Sequence, residues 1–303
     1  MTAASWQIGD VRITRIVEMR AVRTPEFGYR NLSTEDILGE TWLQPHFATP
    51  EGELISCIQA FVVESQGKRI IVDTCVGNDK TRGNAAWSNL QGPFLADLTA
   101  AGYAPDSIDI VLCTHLHVDH VGWNTMLVDG QWVPTFPNAQ YLFGRVEWEH
   151  WQQETITEIA GDIDLEIAEA VIDSAAVNQD SIRPVIDAGL HLLVEVDHQV
   201  TEEIQLEPTP GHTPGHVSVV INSAGHRAVI TGDMMHHPIQ ISLPDKSSKF
   251  DYDVDGAKQT RKDFLARYGD NDVMVFGTHF AAPTAGHVVS HGDGWRLKVE
   301  ESS

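Results

Sequence analysis

Positively charged residues are scarce in this chain. Its 303 residues include 20 Lys and Arg against 43 Asp and Glu, which gives a formal net charge of −23 with His neutral. No local cluster of Lys or Arg reverses that sign. Such a surface repels phosphate backbones and anionic lipid headgroups. Nucleic acids and membranes are therefore not expected as partners, and a small-molecule substrate is.

Long apolar runs and closely spaced cysteines are also missing. No uninterrupted apolar stretch approaches the roughly 18 residues of a membrane span, and the first residues lack the features of a secretory signal. The three cysteines, Cys57, Cys75 and Cys113, lie apart in apolar segments. Isolated thiols in odd number are typical of a reducing compartment. We therefore expect a cytoplasmic protein, and an apolar content of 42% predicts a globular one.

The apolar periodicity predicts alternating strands and helices. Strands are predicted over 11–18, 55–64, 69–73, 108–113, 139–143, 192–196, 204–207, 217–221, 228–231 and 273–276, and helices over 90–101, 145–154 and 257–268. No Pro-, Gly- or Ser-rich linker divides the chain. We therefore expect one α/β domain over residues 1–303, built of two sheet-plus-helix halves packed face to face.

Histidine is unusually abundant, with 15 residues. It is also the commonest metal ligand among side chains. Four potential ligands directly follow the predicted strand 108–113, namely His115, His117, Asp119 and His120. Side chains beyond the end of a buried strand can converge on one centre. Because so many polar groups in one place need something to offset their shared desolvation, the segment predicts a metal site.

Three further residues follow predicted strands at a corresponding place. His212 lies in a Pro- and Gly-containing turn between two strands, and Asp233 and His279 each follow a strand after a short glycine-containing link. Each alone is weak evidence, because a strand-end Asp is usually a turn residue. Together with the earlier segment they provide five His and two Asp, which suffices for two metal ions when one Asp bridges both.

On these seven positions the chain resembles the metallo-β-lactamase-fold hydrolase superfamily. The His-x-His-x-Asp-His segment is followed by His212, Asp233 and His279 at spacings of 92, 21 and 46 residues. The fold of that family is an αββα sandwich, with two mixed sheets face to face and helices outside. The resemblance implies that one metal ion is bound by His115, His117 and His212, the second by Asp119, His120 and His279, and that Asp233 bridges them.

The implied cofactors are two divalent metal ions per chain. A ligand set of nitrogen and oxygen without cysteine favours Zn²⁺, although Mn²⁺, Fe²⁺ or Co²⁺ would also fit. Metal binding lowers the pKa of water to roughly 7, so the expected chemistry is attack by a metal-bridging hydroxide on a carbonyl or phosphoryl centre. Little protein acid or base is then required. Asp119 and His236 are the candidate catalytic residues.

Residue 236 narrows the substrate class. The acyl-homoserine lactone hydrolases of the family place a Tyr three residues after the bridging Asp, where this chain has His236. The pattern Gly-Asp-x-x-His, followed by Gln240, instead resembles the methyl parathion hydrolase branch. We therefore expect a lactonase or carboxylic esterase with promiscuous phosphotriesterase activity. His236 would donate a hydrogen bond to a substrate oxygen or shape the leaving-group pocket.

Other functions stay open at this point. A phosphotriesterase as the main activity and a glyoxalase II-like thioesterase are the enzyme alternatives, although only Arg296 and Lys298 follow His279 to bind glutathione carboxylates. The best-known zinc β-lactamases place a Cys where this chain has Asp233. The non-enzyme alternative is a metal-binding redox or structural protein. Diiron relatives of that kind usually carry an acidic residue in the region of His117.

Residues outside the ligand set carry weaker predictions. Asp73 is the candidate carboxylate that orients a ligand imidazole. Trp123, Trp42 and Phe47 are candidate walls of an apolar substrate pocket. His216, in the same turn as the predicted ligand His212, is expected not to bind metal.

Two segments have predicted roles of their own. The segment 27–50 is rich in apolar residues among turn residues, which makes it too apolar for a free loop and too irregular for core. We expect a homodimer with this arm across the interface. Residues 145–185 are expected to form an acidic helical insertion with an amphipathic stretch over 163–172.

Overall fold

β-strands make up most of the regular structure. The computed structural model describes residues 3–154 and 174–299. The strands are β1 (Ser5–Ile8), β2 (Val11–Arg23), β3 (Leu54–Ser65), β4 (Lys68–Val72), β5 (Ile110–Leu112), β6 (Thr125–Val128), β7 (Gln131–Pro134), β8 (Gln140–Gly144), β9 (His191–Val194), β10 (Gln199–Thr201), β11 (Ile204–Pro208), β12 (Val217–Ser223), β13 (His226–Ile230), β14 (Met274–Phe276), β15 (Ala285–His291) and β16 (Gly294–Lys298).

Two of the sheets have seven strands each, and both are mixed. The first has the order β1-β2-β3-β4-β5-β8-β9, in which β3 and β4 are antiparallel and β4, β5, β8 and β9 run parallel. The second has the order β10 to β16, and only β13 and β14 in it are parallel. β6 and β7 form a separate hairpin. The predicted α/β fold with two mixed sheets is confirmed.

The described helices are mostly short. The α-helices are α1 (Pro25–Gly28), α2 (Thr34–Gly39), α3 (Phe94–Ala100), α4 (Arg145–Glu154), α5 (Arg183–Asp187), α6 (Ile239–Ser242) and α7 (Val254–Tyr268). Single turns of 3₁₀-helix span Thr41–Leu43, Pro105–Ser107, Gly122–Asn124 and Gly232–Met234, and a π-helix spans Asn178–Ile182. Among the described residues, none of the helices is both long and apolar enough to cross a membrane.

Within residues 3–154 and 174–299, each predicted strand and helix overlaps an observed one. The predicted helix 90–101 is shorter in the structure, because Pro93 is its N-cap and Leu90 instead bridges to Asn78. It ends just before Gly102, whose φ of 99° is readily adopted only by glycine. Six strands were not predicted from the sequence, namely β1, β6, β7, β10, β15 and β16. These strands are short or carry exposed polar residues, so they lack a clear apolar pattern.

The chain forms two compact units, each of which includes several stretches of sequence. The first unit comprises the described residues of Met1–Trp6, Arg12–Glu18 and Gln59–Glu195. The second comprises those of Gln7–Val11, Met19–Ile58 and Val196–Ser303. Most of the first sheet lies in the first unit, and the second sheet lies in the second. A single domain over 1–303 stays a prediction.

The segment 27–50 contributes to the core of the second unit. Tyr29, Leu32, Leu43 and Phe47 are all buried. The expectation that this segment is too irregular for core is therefore wrong, because its short helices bury these side chains without a long periodic pattern. Of the predicted insertion 145–185, the structure describes α4, the π-helix and α5. The amphipathic stretch 163–172 lies outside the described residues.

Candidate metal centre

Three predicted ligands lie at one edge of the second sheet. Asp233 follows β13 and His279 follows β14, and these two strands are parallel, so their carboxyl ends share an edge. His212 lies in the turn from β11 to β12. Because β12 is antiparallel to β13, that turn is at the same edge. The turn also approaches α7 closely: a Cβ on Gly211 would lie 2.3 Å from the backbone nitrogen of Ala257, so glycine is required there.

The Asp233 carboxylate is surrounded by histidine nitrogens. Its Oδ1 lies 3.1 Å from His279 Nε2, and its Oδ2 lies 3.6 Å from His212 Nε2 and 3.4 Å from His236 Nε2. Two ligands that are each about 2.1 Å from one metal ion lie about 3.0–3.4 Å apart in octahedral or tetrahedral geometry. The ligand atoms of His212, Asp233 and His236 all lie within 4.8 Å of one another. The donor types and spacing therefore fit a divalent metal.

Two of these histidines are oriented through the other ring nitrogen. His212 Nδ1 lies 3.2 Å from the carboxylate of Asp251, and His279 Nδ1 donates to the carbonyl of Cys57 at 2.8 Å. A hydrogen bond at Nδ1 fixes the ring orientation and leaves Nε2 for a ligand role. Asp251 was not among the predicted site residues, because nothing in the local pattern distinguishes it from the neighbouring helix N-cap Asp253.

His216 has a different role. Its Nε2 accepts a hydrogen bond from the backbone N–H of Asp233 at 2.8 Å. The proton is therefore on Nδ1, which lies 2.8 Å from the hydroxyl and 3.1 Å from the carbonyl of Thr209. Both ring nitrogens are engaged within the protein, in agreement with the expectation that His216 binds no metal.

His236 and His237 have contrasting surroundings. The His236 ring packs edge-on against His212, with ring centroids 4.7 Å apart, and its backbone N–H donates to Gln240 Oε1 at 2.8 Å. Burial lowers the pKa of His236 to about 3.

His237 Nε2 donates to the carbonyl of Phe47, and its Nδ1 accepts from the backbone N–H of Ile239. Burial lowers the pKa of His237 to about 4. Both rings are neutral near pH 7.

The remaining predicted ligands follow a strand of the first sheet. β4 and β5 are parallel, so Asp73 after β4 and Thr114 after β5 emerge at the same edge. Asp73 is buried and accepts hydrogen bonds from the backbone N–H of Thr114 at 2.8 Å and from the Thr114 hydroxyl. Its Oδ2 lies 3.0 Å from His120 Nδ1. This is the contact that an orienting carboxylate would make, and it leaves His120 Nε2 for a metal.

The four ligand candidates of the segment 115–120 lie close together in the first unit. The ring of His115 is 4.6 Å from that of His117 and 4.0 Å from that of His120, measured between centroids. His120 Nε2 is 3.7 Å from Asp119 Oδ1. His115 Nδ1 is 3.1 Å from the hydroxyl of Thr114, which itself donates to the carboxylate beside His120. The segment thus presents nitrogen and oxygen donors with fixed ring orientations.

Glu18, which was not among the predicted site residues, forms hydrogen bonds with the loop next to this segment. Its carboxylate accepts from the backbone N–H groups of Val76 and Gly77, at 2.8 and 3.0 Å, and from the indole N–H of Trp123 at 2.7 Å. Burial raises the pKa of Glu18, and the nearby charge of Asp119 acts in the same direction. Its sequence signal is weak, because it is one acidic residue within a long strand.

The candidate pocket walls differ in exposure. Trp123 is buried and stacks on Phe94, with ring centroids 5.7 Å apart. Phe47 is also buried and contacts Phe280 edge-on. Trp42 is part-exposed, and its indole N–H contacts Glu40 at 2.7 Å. Of the three, Trp42 offers the most side-chain surface to a ligand.

Comparisons with characterised proteins give lactonases as relatives. The N-acyl homoserine lactonase AiiA of Bacillus thuringiensis subsp. kurstaki is 23% identical over 196 residues, which cover 60% of this chain and 66% of that protein. The N-acyl homoserine lactonase of Bacillus cereus is 23% identical over 188 residues, or 58% and 62% of the two chains. The chain thus spans slightly less than two thirds of the length of these relatives.

Solved structures cover nearly the whole chain. The hydrolase AbOPH of the β-lactamase superfamily has a TM-score of 0.79 and 25% identity, covering 100% of this chain and 99% of its own. AidC, a dizinc quorum-quenching lactonase, has a TM-score of 0.79 and 18% identity over 100% and 98% of the two chains. At that identity, the likeness to AidC shows a shared fold.

A family model gives the family directly. The model described as metallo-beta-lactamase superfamily matches residues 58–294, which is well over half of the chain. The matched range includes all seven residues that the sequence pattern singled out as ligands. The chain therefore belongs to the metallo-β-lactamase superfamily.

Proposed function

We propose that the chain is a dinuclear metal-dependent hydrolase that opens a lactone or cleaves a carboxylic ester. The observation that carries the proposal is the Asp233 carboxylate, whose two oxygens face three histidine nitrogens at 3.1 to 3.6 Å in the second unit. The segment 115–120 supplies further oriented donors in the first unit. Membership of the superfamily and lactonase relatives favour hydrolysis over a structural or redox role.

The ligand assignment follows the family resemblance. One divalent ion would be bound by His115, His117 and His212, a second by Asp119, His120 and His279, with Asp233 shared between them. Zn²⁺ is favoured for this nitrogen and oxygen set, and a similar fold occurs in a dizinc lactonase. Mn²⁺, Fe²⁺ or Co²⁺ would satisfy the same donors.

The protein's own side chains would orient the metal ligands and the substrate. When bound, the metal ions would provide an activated water at neutral pH and an electrophile for the substrate carbonyl. Asp73 and Asp251 would keep His120 and His212 in the tautomer that has its proton on Nδ1, so that Nε2 is the nitrogen that would bind metal. The partly buried, neutral ring of His236 carries one N–H, which would donate to the substrate oxygen under attack.

The substrate we propose is a neutral or hydrophobic lactone or carboxylic ester. The relatives named above are lactonases, and residue 236 is a His in this chain, as in the methyl parathion hydrolase pattern. Phosphotriester cleavage is therefore the expected side activity. A phosphotriesterase as the main activity, a glyoxalase II-like thioesterase and a metal-binding protein without hydrolysis are the competing functions.

Metal analysis and a substrate panel test this proposal. Purified protein should be stripped with a chelator, reloaded with Zn²⁺, and assayed against lactones, aryl esters, thioesters, β-lactams and phosphotriesters. We expect two metal equivalents per chain and the highest kcat/KM on a lactone or ester. Asp233→Ala should lose metal and at least about a hundredfold in kcat/KM, or ~2.7 kcal/mol.

Asp272→Ala is the matched control, because it removes a carboxylate whose side chain is 99% exposed. It should retain both metal equivalents and the activity. Well under two equivalents in the wild-type protein, or full activity in Asp233→Ala, would refute the dinuclear hydrolase. A thioester or phosphotriester as the best substrate would replace the substrate class and leave the metal centre standing.

Assembly and location are part of the same proposal. We propose a homodimer in which exposed residues of the segment 27–50, such as Phe27 and Leu38, contribute to the interface. Most other apolar side chains of this segment are buried within the chain itself. The segment therefore exposes less apolar surface than the sequence implied. A cytoplasmic location stays a prediction that rests on three buried cysteines that lie apart in the sequence.

A further inference from the structure

A buried carboxylate and a buried guanidinium lie directly behind His212. Asp251 and Arg261 both have fully buried side chains, and Arg261 Nη1 is 3.4 Å from Asp251 Oδ2. The other carboxylate oxygen, Oδ1, is 3.2 Å from His212 Nδ1. Burying an ion pair is costly, and such a pair is weak evidence for stability by itself. Because Asp251 also contacts the predicted ligand His212, the pair can instead contribute to the orientation of that imidazole.

Arg261 connects two of the ligand-bearing segments. Its Nε donates to the carbonyl of Pro244 at 2.9 Å, which fixes the guanidinium plane. Nη1 lies 3.5 Å from the carbonyl of Met234, the residue directly after Asp233. One side chain on α7 therefore faces both the carboxylate that contacts His212 and the backbone next to Asp233.

Backbone contacts hold the same loops together. The N–H of Tyr252 donates to the carbonyl of His212 at 3.1 Å, and the N–H of Asp253 donates to the carbonyl of Gly211 at 2.9 Å. The backbone N–H of Ser248 donates to Asp251 Oδ2 at 3.0 Å. The carboxylate is thus fixed by its own loop and by α7, while its free oxygen is directed at the imidazole.

We propose that Asp251 and Arg261 are positioning residues that prepare His212 and Asp233 to bind metal. A carboxylate that accepts the Nδ1 proton of a ligand histidine fixes its tautomer and ring orientation, and raises the basicity of Nε2. Arg261 Nη1, 3.4 Å from Asp251 Oδ2, holds the carboxylate in place. The inference rests on the proposed metal centre and adds two residues that lie outside the family ligand pattern.

Asp251→Asn tests the role of the carboxylate. The amide can still accept from His212 Nδ1, but its NH₂ group would face two donors, the Ser248 N–H and Arg261. Asp253→Asn is the matched control: it removes one negative charge two residues away, and Asn replaces Asp well as an N-cap. Zn²⁺ affinity should be measured on both variants and the wild type by competition with a chromophoric chelator.

We expect Asp251→Asn to weaken at least one of the two Zn²⁺ equivalents ten- to hundredfold, and Asp253→Asn to stay within threefold of wild type. The visible d–d spectrum of the Co²⁺-loaded protein should change in Asp251→Asn and not in Asp253→Asn. Affinities within threefold at both equivalents in Asp251→Asn would overturn the inference. Wild-type protein that binds no metal would instead overturn the proposed function.

A measurement on the wild-type protein covers the case in which Asp251→Asn does not fold. With ¹⁵N-labelled histidine and Zn²⁺ bound, long-range ¹H–¹⁵N correlations distinguish the two imidazole tautomers. The His212 signals can be assigned by their loss in His212→Gln. We expect His212 to carry its proton on Nδ1. A proton on Nε2 would contradict the positioning role of Asp251.

Discussion

A buried lysine in the first unit should make the stability of this protein rise with pH. The side chain of Lys80 is fully buried. Its Nζ lies 2.8 Å from Thr125 Oγ1 and 3.5 Å from Asp180 Oδ1, and 3.8 Å from the centroid of the Trp132 ring. Asp180 is at the same time paired with Arg82, at 2.7 and 2.9 Å. The Asp180 carboxylate is therefore shared by two buried cations, Lys80 and Arg82.

The sign of the effect follows from the pKa. Burial lowers the pKa of Lys80 from 10.5 to about 8, against the opposing attraction of Asp180. Between these values the unfolded chain keeps a proton that the native state has lost, so the free energy of unfolding increases with pH. At 1.36 kcal/mol per pH unit, the ammonium costs the native state about 3 kcal/mol at pH 7. About 2.5 kcal/mol of this is relieved by pH 10.

Urea unfolding of the wild type and Lys80→Met at pH 7 and pH 10 measures this contribution. Other groups titrate in the same range, since burial also raises the pKa of the Cys75 and Cys113 thiols. The quantity to follow is therefore the difference in unfolding free energy between wild type and variant. It should move by about 2.5 kcal/mol in favour of the wild type from pH 7 to pH 10.

Lys68→Met is the control for loss of one positive charge, because the Lys68 side chain is 55% exposed and pairs with Asp109 at the surface. The change in its own difference from wild type should be subtracted. A corrected change below about 1 kcal/mol, or a change in favour of Lys80→Met, would refute the assignment of a depressed pKa to Lys80.

Three further outcomes are expected. His236→Ala should lower kcat/KM for the best lactone or ester more than about threefold, or ~0.7 kcal/mol; a smaller loss would make residue 236 a structural histidine. His216→Ala should lower the unfolding free energy by about 1–3 kcal/mol, because the Asp233 N–H loses its acceptor, while both metal equivalents remain; loss of one would make His216 a ligand. Light scattering at micromolar concentration should give the mass of a dimer, and a single-chain mass would exclude the interface proposed for 27–50.

The sequence by itself determined ten of the sixteen described strands and the ligand candidates. Strands such as β3 and β5 are continuous apolar runs, so their period and length are local properties. The segment 115–120 directly follows β5, and its ligand residues are adjacent along the chain. The resemblance to the family rests on this same local pattern and on the spacing of single residues after later strands, and the family model that matches residues 58–294 shows the membership. Short edge strands such as β16 lack such a pattern and were missed.

Only the tertiary structure decided which side chains support those candidates. Asp251 reaches His212 across 39 residues, Glu18 reaches Trp123 across 105, and Lys80 reaches Asp180 across 100. No local sequence pattern distinguishes Asp251, Glu18 and Asp180 from the many other acidic residues of this chain. A buried charge is stable only where a partner from a distant segment meets it. The packing of loops and helices decides whether the charged group and its partner come into contact. The same packing orients each imidazole.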